Sequence, residues 1–154
     1  MKQSPQEKAQ KLRLEPSKFS ADGFLGNDPR PIDEIIATDL LATQKLGSTP
    51  ENIAKRLREV YQKAKAAIDM VVRLRPGVTA EYYESRGKIP SPFRGDGVFE
   101  KGEVFVKDEQ SGETLRITAL GIHLIEKHHF FQGKGSRYRI EPEQVLHILV
   151  SETQ

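Results

Sequence analysis

TLRITALGIHLIEKHHFFQGKGSRYRIEPEQVLHILV, residues 114–150, holds a short β-like run, an apolar helix bearing histidines, a glycine-and-lysine loop, a second β-like run and a proline-started helix in less than a quarter of the chain. Thr118 is placed to cap a helix over residues 119–131, because its hydroxyl can accept from an amide left unpaired in the first turn. On a helical wheel Leu120, Leu124 and Phe131 cluster, with Ile125 and His128 alongside, while His123, Glu126 and Lys127 turn the other way. That helix is expected to be buried over most of its circumference, and Gly121 in its first turns marks a close approach of another element. Residues 138–140, Tyr-Arg-Ile, read as a short strand. Pro142 suits the first turn of a last helix whose apolar side chains are Val145, Leu146, Ile148 and Leu149.

Toward the N-terminus the pattern changes to period two. Val98, Phe99, Val104, Phe105 and Val106, followed by Leu115 and Ile117 beyond Ser111-Gly112, predict an antiparallel hairpin over residues 103–117. A lone hairpin is unstable in water, so it needs a third strand, for which residues 138–140 are the candidate, or a helix against it. Residues 86–97, RGKIPSPFRGDG, carry too many glycines and prolines for a helix or a central strand and read as packed irregular structure or a binding loop. Pro76-Gly77 reads as a turn, and Tyr82 and Tyr83 as part of one more helical turn.

Two helices come first. One is predicted from Pro31 to Leu46, with Asp33 and Glu34 at its positive end, Ile32, Ile35, Ile36, Leu40, Thr43 and Leu46 as its stripe, and Gly47 as terminator. Asp39 is expected at the edge of that stripe, facing solvent. Thr49 and Pro50 form the clearest helix start in the chain, and Ile53, Leu57, Val60, Tyr61, Ala64, Ile68 and Val71 carry an apolar face to about Arg73. The short connection predicts an antiparallel or steeply crossed pair. Residues 1–26 read as a flexible or loosely packed arm, with Leu12, Leu14, Phe19, Phe24 and Leu25 as the side chains that would dock it.

The fold class that follows is α+β: an N-terminal antiparallel helix pair, then a small antiparallel sheet made of the hairpin and a short third strand, packed by two C-terminal helices. Residues 27–154 form a single globular domain, with a helical half over 31–75 and an α+β half over 98–150. A chain of 154 residues suits one core. There is no cysteine, which excludes thiol catalysis and every cysteine metal site. The net charge is +2, well short of the basic excess of a domain that lives on nucleic acid. No run suggests a signal peptide or a membrane span, and a soluble cytoplasmic protein is expected.

Two loops carry the functional expectation. Gly133-Lys134-Gly135-Ser136-Arg137 followed by Arg139 combines outward-facing amides, a hydroxyl and positive charge, a set that can cradle a phosphate or carboxylate. It lacks the order of a nucleotide-binding P-loop. Arg86, Lys88 and Arg94 lie on the other loop, and together the two predict a small-anion site formed by Lys134, Ser136, Arg137, Arg139, Arg86, Lys88 and Arg94. The protein is accordingly expected to be a non-enzymatic binding or regulatory domain, needing no cofactor. The alternatives are weak nucleic-acid binding by the same residues, with Phe93 or Tyr138 stacking on bases, and a protein-binding or structural homodimer built on Ile53, Leu57 and Tyr61. Helix, turn and strand at the C-terminus loosely resemble part of a winged helix, but residues 119–131 have almost no basic face to read DNA. The histidines, His123, His128, His129 and His147, have poor spacing for metal, since His123 and His128 are five apart; only His123 with Glu126 has a helical ligand offset, a third ligand from His128, His129 or His147 would have to come through the tertiary fold, and no metal site is expected. Acid-base work by His123 or His128 would need a carboxylate such as Asp96 or Glu103 in range.

Overall fold

Residues 23–149 are described by the computed structural model. Helices α1 (Ile32–Lys45) and α2 (Pro50–Ala66) precede strands β1 (Val72–Arg75), β2 (Val78–Tyr83), β3 (Lys88–Pro90), β4 (Val98–Glu100), β5 (Glu103–Asp108) and β6 (Thr114–Thr118), and helices α3 (Ala119–His128) and α4 (Pro142–Leu149) close the chain. The architecture is α+β: an N-terminal helix pair, a central antiparallel sheet and two C-terminal helices. No helix among the described residues is long and apolar enough to cross a membrane.

Local chemistry sets several boundaries where the sequence places them. Thr49 caps α2 by accepting from the Asn52 amide at 3.1 Å, and Thr118 caps α3 by accepting from Gly121 at 2.9 Å. The β5–β6 hairpin pairs Glu103 with Thr118 and Lys107 with Thr114, and Gly112 in its turn has a φ of +78°. β2 pairs antiparallel with β5 and β1 with β2, giving the order β1-β2-β5-β6.

The sheet differs from expectation in where its other strands come from. Residues 138–140 are not a strand; the partners of the hairpin are β2 and β1. The second helix stops at Ala66, not near Arg73, and Ile68 and Asp69 take left-handed backbone with φ of 35° and 58°. Beyond them Val72 and Leu74, then Val78, Ala80 and Tyr82, alternate across Pro76-Gly77, and Gly77 at φ +84° supplies the turn. Ile68 and Val71 happen to continue the helical phase of α2, which masks that switch; both are exposed. Tyr82 and Tyr83 accordingly belong to a strand. Helix α3 ends at His128 because His129 takes φ 57°, three residues before Phe131.

Two apolar clusters result. Alternate side chains of β2, β5 and β6, namely Val78, Ala80, Val104, Val106, Leu115 and Ile117, pack one sheet face against Ile53, Leu57, Val60 and Tyr61 of α2 and against α3 and α4. This spends the apolar face of α2 inside the protomer, so Ile53, Leu57 and Tyr61 are not available to a second copy. Ile32 and Ile35 of α1 join a second cluster with Leu25, Phe93, Leu120, Leu124 and Phe130, which Ile89 and Phe99 of the small β3–β4 hairpin cover. Arg56 and Arg75 donate to carbonyls of Leu149, Ile148 and His147, satisfying the last turn of α4 from α2 and β1.

Of the N-terminal arm, residues 23–26 lie within the described chain, and there Leu25 is buried. Leu12, Leu14 and Phe19 lie outside the described residues.

Candidate functional site

The glycine-and-lysine loop is docked on residues 23–28. Asn27 N–H donates to the Lys134 carbonyl at 3.0 Å, Gly133 N–H to the Phe24 carbonyl at 2.9 Å, and Ser136 Oγ–H is within 2.9 Å of the Gly23 carbonyl. A Cβ on Gly133 would collide with the Leu25 carbonyl, and one on Gly26 with the Ser136 amide. Glycine is therefore required on both sides for the two segments to meet. The Lys134 amide donates at 3.0 Å to the carboxylate of Asp28, which also takes Arg30 Nε at 2.8 Å and Nη2 at 2.6 Å. Those bonds, the Arg30 side chain first, outweigh burial and hold the Asp28 carboxyl well below the usual carboxylate range. The anion seated at this loop is part of the chain itself.

Arg139 is also committed. Its Nη1 donates to Asp39 Oδ2 at 2.9 Å and to the Gln132 carbonyl at 2.6 Å, its Nη2 to Asp39 Oδ1 at 2.9 Å, and Glu141 takes two more bonds. Asp39 is thus buried against a cation rather than facing solvent. Ser136 is buried and its hydroxyl also lies 2.7 Å from Gln132 Oε1. Of the seven anticipated contacts, Arg86, Lys88, Arg94, Lys134 and Arg137 keep exposed side chains. Arg137 lies over the Tyr138 ring, and Lys88 stands opposite Glu100 in the β3–β4 register.

The loops do share one feature. A cleft of about 320 Å³ is lined by Ser85 and Ile89 from one side, Gln132 and Tyr138 from the other, and Phe24, Glu100, Lys101, Glu103, Thr118 and Leu120 between them. Phe24, Ile89 and Leu120 make it apolar at one end. Its two carboxylates are already partnered: Glu100 accepts from Lys65 at 2.7 Å and from the Tyr61 hydroxyl, and Glu103 accepts from Arg116 at 2.7 Å and Tyr138 at 2.8 Å. The Lys65 and Tyr61 bonds, outweighing burial, hold the Glu100 carboxyl below its ordinary value. Burial, then Glu103, pushes the Tyr138 hydroxyl up. Lys101 is exposed and makes no hydrogen bond or ion pair among the described residues. Gly102 beside it has the Tyr82 ring where a Cβ would sit, fixing the backbone at the cleft wall. Nothing local in the sequence distinguishes Lys101 from other surface lysines.

The histidines separate into two groups. His129 pairs with Glu51 at 2.8 Å and His147 with Glu113 at 2.8 Å on the surface. His123 and His128 both approach Asp96 Oδ2, at 2.9 and 2.8 Å. Asp96 comes from the tip of the β3–β4 hairpin, and it is the carboxylate in range that the sequence could name only conditionally. Phe93 stacks on His128 with centroids 3.8 Å apart and is buried, and the Tyr138 hydroxyl is taken by Glu103, so Phe93 is withdrawn from base stacking and Tyr138 is constrained. In comparisons with protein-family models, curated proteins and solved structures, the chain has no match.

Proposed function

We propose that this protein is a binding domain that takes a small anionic ligand with an apolar body in the cleft between the residue 85–89 segment and the 132–138 loop. The observation that carries the reading is the charge balance of that cleft: Glu100 and Glu103 are each matched by partners of the fold, which leaves Lys101 as the cation lining it without one among the described residues. A carboxylate or phosphate at Lys101 gains a charge-assisted bond, and Phe24, Ile89 and Leu120 offer its apolar part a surface to leave water for. The volume suits a ligand of one ring and an acidic head. Arg86, Lys88 and Arg137, each next in sequence to a cleft residue, add a positive surround that raises the local concentration of anions. Among the described residues no histidine lines the cleft, and the Thr118 hydroxyl accepts from the Gly121 amide, which favours binding over acid-base chemistry there.

Calorimetric titration with benzoate and phenyl phosphate, each against its uncharged alcohol analogue, tests this. Saturable binding of the anions that weakens about tenfold in Lys101→Ala, the scale of one charge-assisted bond, is the expected result. Equal response to the alcohols, or indifference to the substitution, would overturn it.

A further inference from the structure

The geometry points to a second site, independent of the cleft: we infer that Asp96, His123 and His128 form a divalent transition-metal site, with zinc as the metal to which its donors are best suited. Among the described residues these three offer one ligand atom each, and the atoms all lie within 4.8 Å of one another.

Hydrogen bonding alone accounts poorly for the cluster. Asp96 Oδ2 is approached by the Ser91 hydroxyl at 2.8 Å, by His128 Nε2 at 2.8 Å and by His123 Nε2 at 2.9 Å. Three donors on one carboxylate oxygen exceed its two in-plane lone pairs. One of the three in fact fails: His123 Nε2 is buried and, although close to the carboxylate, makes no hydrogen bond of acceptable geometry. A buried ring nitrogen left without a partner is destabilising. A cation between the three atoms reverses the roles, because it uses the lone pairs of both imidazoles and needs no proton on either facing nitrogen. In a tetrahedral zinc site with bonds of about 2.1 Å, neighbouring ligand atoms are about 3.4 Å apart. The two His–Asp separations here would need to open by only about half an ångström.

The surroundings are those of a built site. The Ser91 hydroxyl accepts from the Phe93 amide at 3.1 Å and donates to Asp96, so the carboxylate is held by a serine that is itself held. Ser91 N–H to the Gly97 carbonyl and Asp96 N–H to the Phe93 carbonyl close the hairpin tip. Phe93 stacks on His128, and the Phe99 ring centroid lies 4.7 Å from that of His123, so each imidazole has an aromatic ring against it. Helix positions five apart point about 140° away from each other. The rings of His123 and His128 nonetheless lie 5.9 Å apart, with Asp96 of the β3–β4 hairpin reaching both. The Asp96 side chain is 8% exposed and the two imidazoles 23% each, so the cluster lies just beneath the surface. Two neutral nitrogens and one carboxylate select zinc or its first-row neighbours over magnesium or calcium, which favour all-oxygen shells.

Zinc titration of the full chain after treatment with a chelator tests the assignment, followed by calorimetry and by long-range nitrogen–proton NMR of the imidazoles. The expected result is one zinc per chain, with the ring nitrogens of His123 and His128 shifting and those of His129 and His147 unmoved. His128→Gln should abolish the binding and Ser91→Ala weaken it about tenfold, as loss of a ligand-orienting group does. The double substitution His129→Ala with His147→Ala should leave it intact. The NMR measurement needs no variant, so a misfolded His128→Gln protein does not remove the test. No saturable zinc uptake, or shifts at His129 and His147 in place of His123 and His128, would overturn the inference.

Discussion

Arg139 and Asp39, 100 residues apart, meet in two parallel 2.9 Å bonds with their side chains 8% and 5% exposed, tying helix α1 to the segment before α4. Little of either side chain reaches solvent. Arg139→Ala should therefore destabilise the protein by about 3–5 kcal/mol, the range for removing one member of a buried pair. Arg139→Lys should recover only part of this, since an ammonium cannot make the paired bonds. Denaturant unfolding followed by circular dichroism measures both; an alanine variant within about 0.5 kcal/mol of wild type would mean the pair is solvated in solution.

Asp28 gives the fold an acid limit. Because its folded-state carboxyl is held below the ordinary value by Arg30, with help from the Lys134 amide, its contribution is complete above the unfolded-state value of about 4 and is lost as the pH falls below that toward its folded-state value. Asp28→Asn should consequently lower the unfolding midpoint most at pH 7 and progressively less as the pH falls below about 4. Thermal scans of both proteins from pH 7 to 2 show whether the gap narrows; a gap constant with pH would assign the loss to packing instead.

The glycines of the docked loop carry a steric prediction. Gly133→Ala sets a methyl against the Leu25 carbonyl and should cost about 1–3 kcal/mol as an overpacking change. Gly112→Ala, in open space at φ +78°, should cost only the backbone strain of about 1–2 kcal/mol. Hydrogen exchange separates them further: only the first should speed exchange at the amides of Asn27 and Gly133, which donate across the docked segments.

Helix α4 depends on arginines from outside it. Arg56→Ala combined with Arg75→Ala removes the side-chain donors to the carbonyls of Leu149, Ile148 and His147, and should lower stability by about 1.5–4.5 kcal/mol, at roughly 0.5–1.5 for each of the three bonds. Protease sensitivity should rise first around residues 142–149.

Features set by neighbouring residues were legible in the sequence. Thr49 and Thr118 cap the helices they precede, and Ser111-Gly112 turns the 103–117 hairpin, because a cap or a turn is decided within four residues. β1 and β2 were hidden because Ile68 and Val71 stay in phase with the α2 stripe, and only the left-handed backbone at Ile68 and Asp69 ends it. The functional residues were harder to read. The donors of Lys134, Ser136 and Arg139 are written in the sequence, but their acceptors, Asp28, Gly23 and Asp39, lie about a hundred residues earlier. His123 and His128 likewise gain a meaning only when the β3–β4 hairpin delivers Asp96 between them.

The most direct measurement of the proposed binding function is an amide NMR titration of the protein with phenyl phosphate. Saturable shifts centred on Ser85, Ile89, Lys101, Gln132 and Tyr138, weakened about tenfold in Lys101→Ala, are predicted. Shifts absent, or gathered at exposed basic residues away from the cleft such as Arg94 and indifferent to Lys101, would contradict the account.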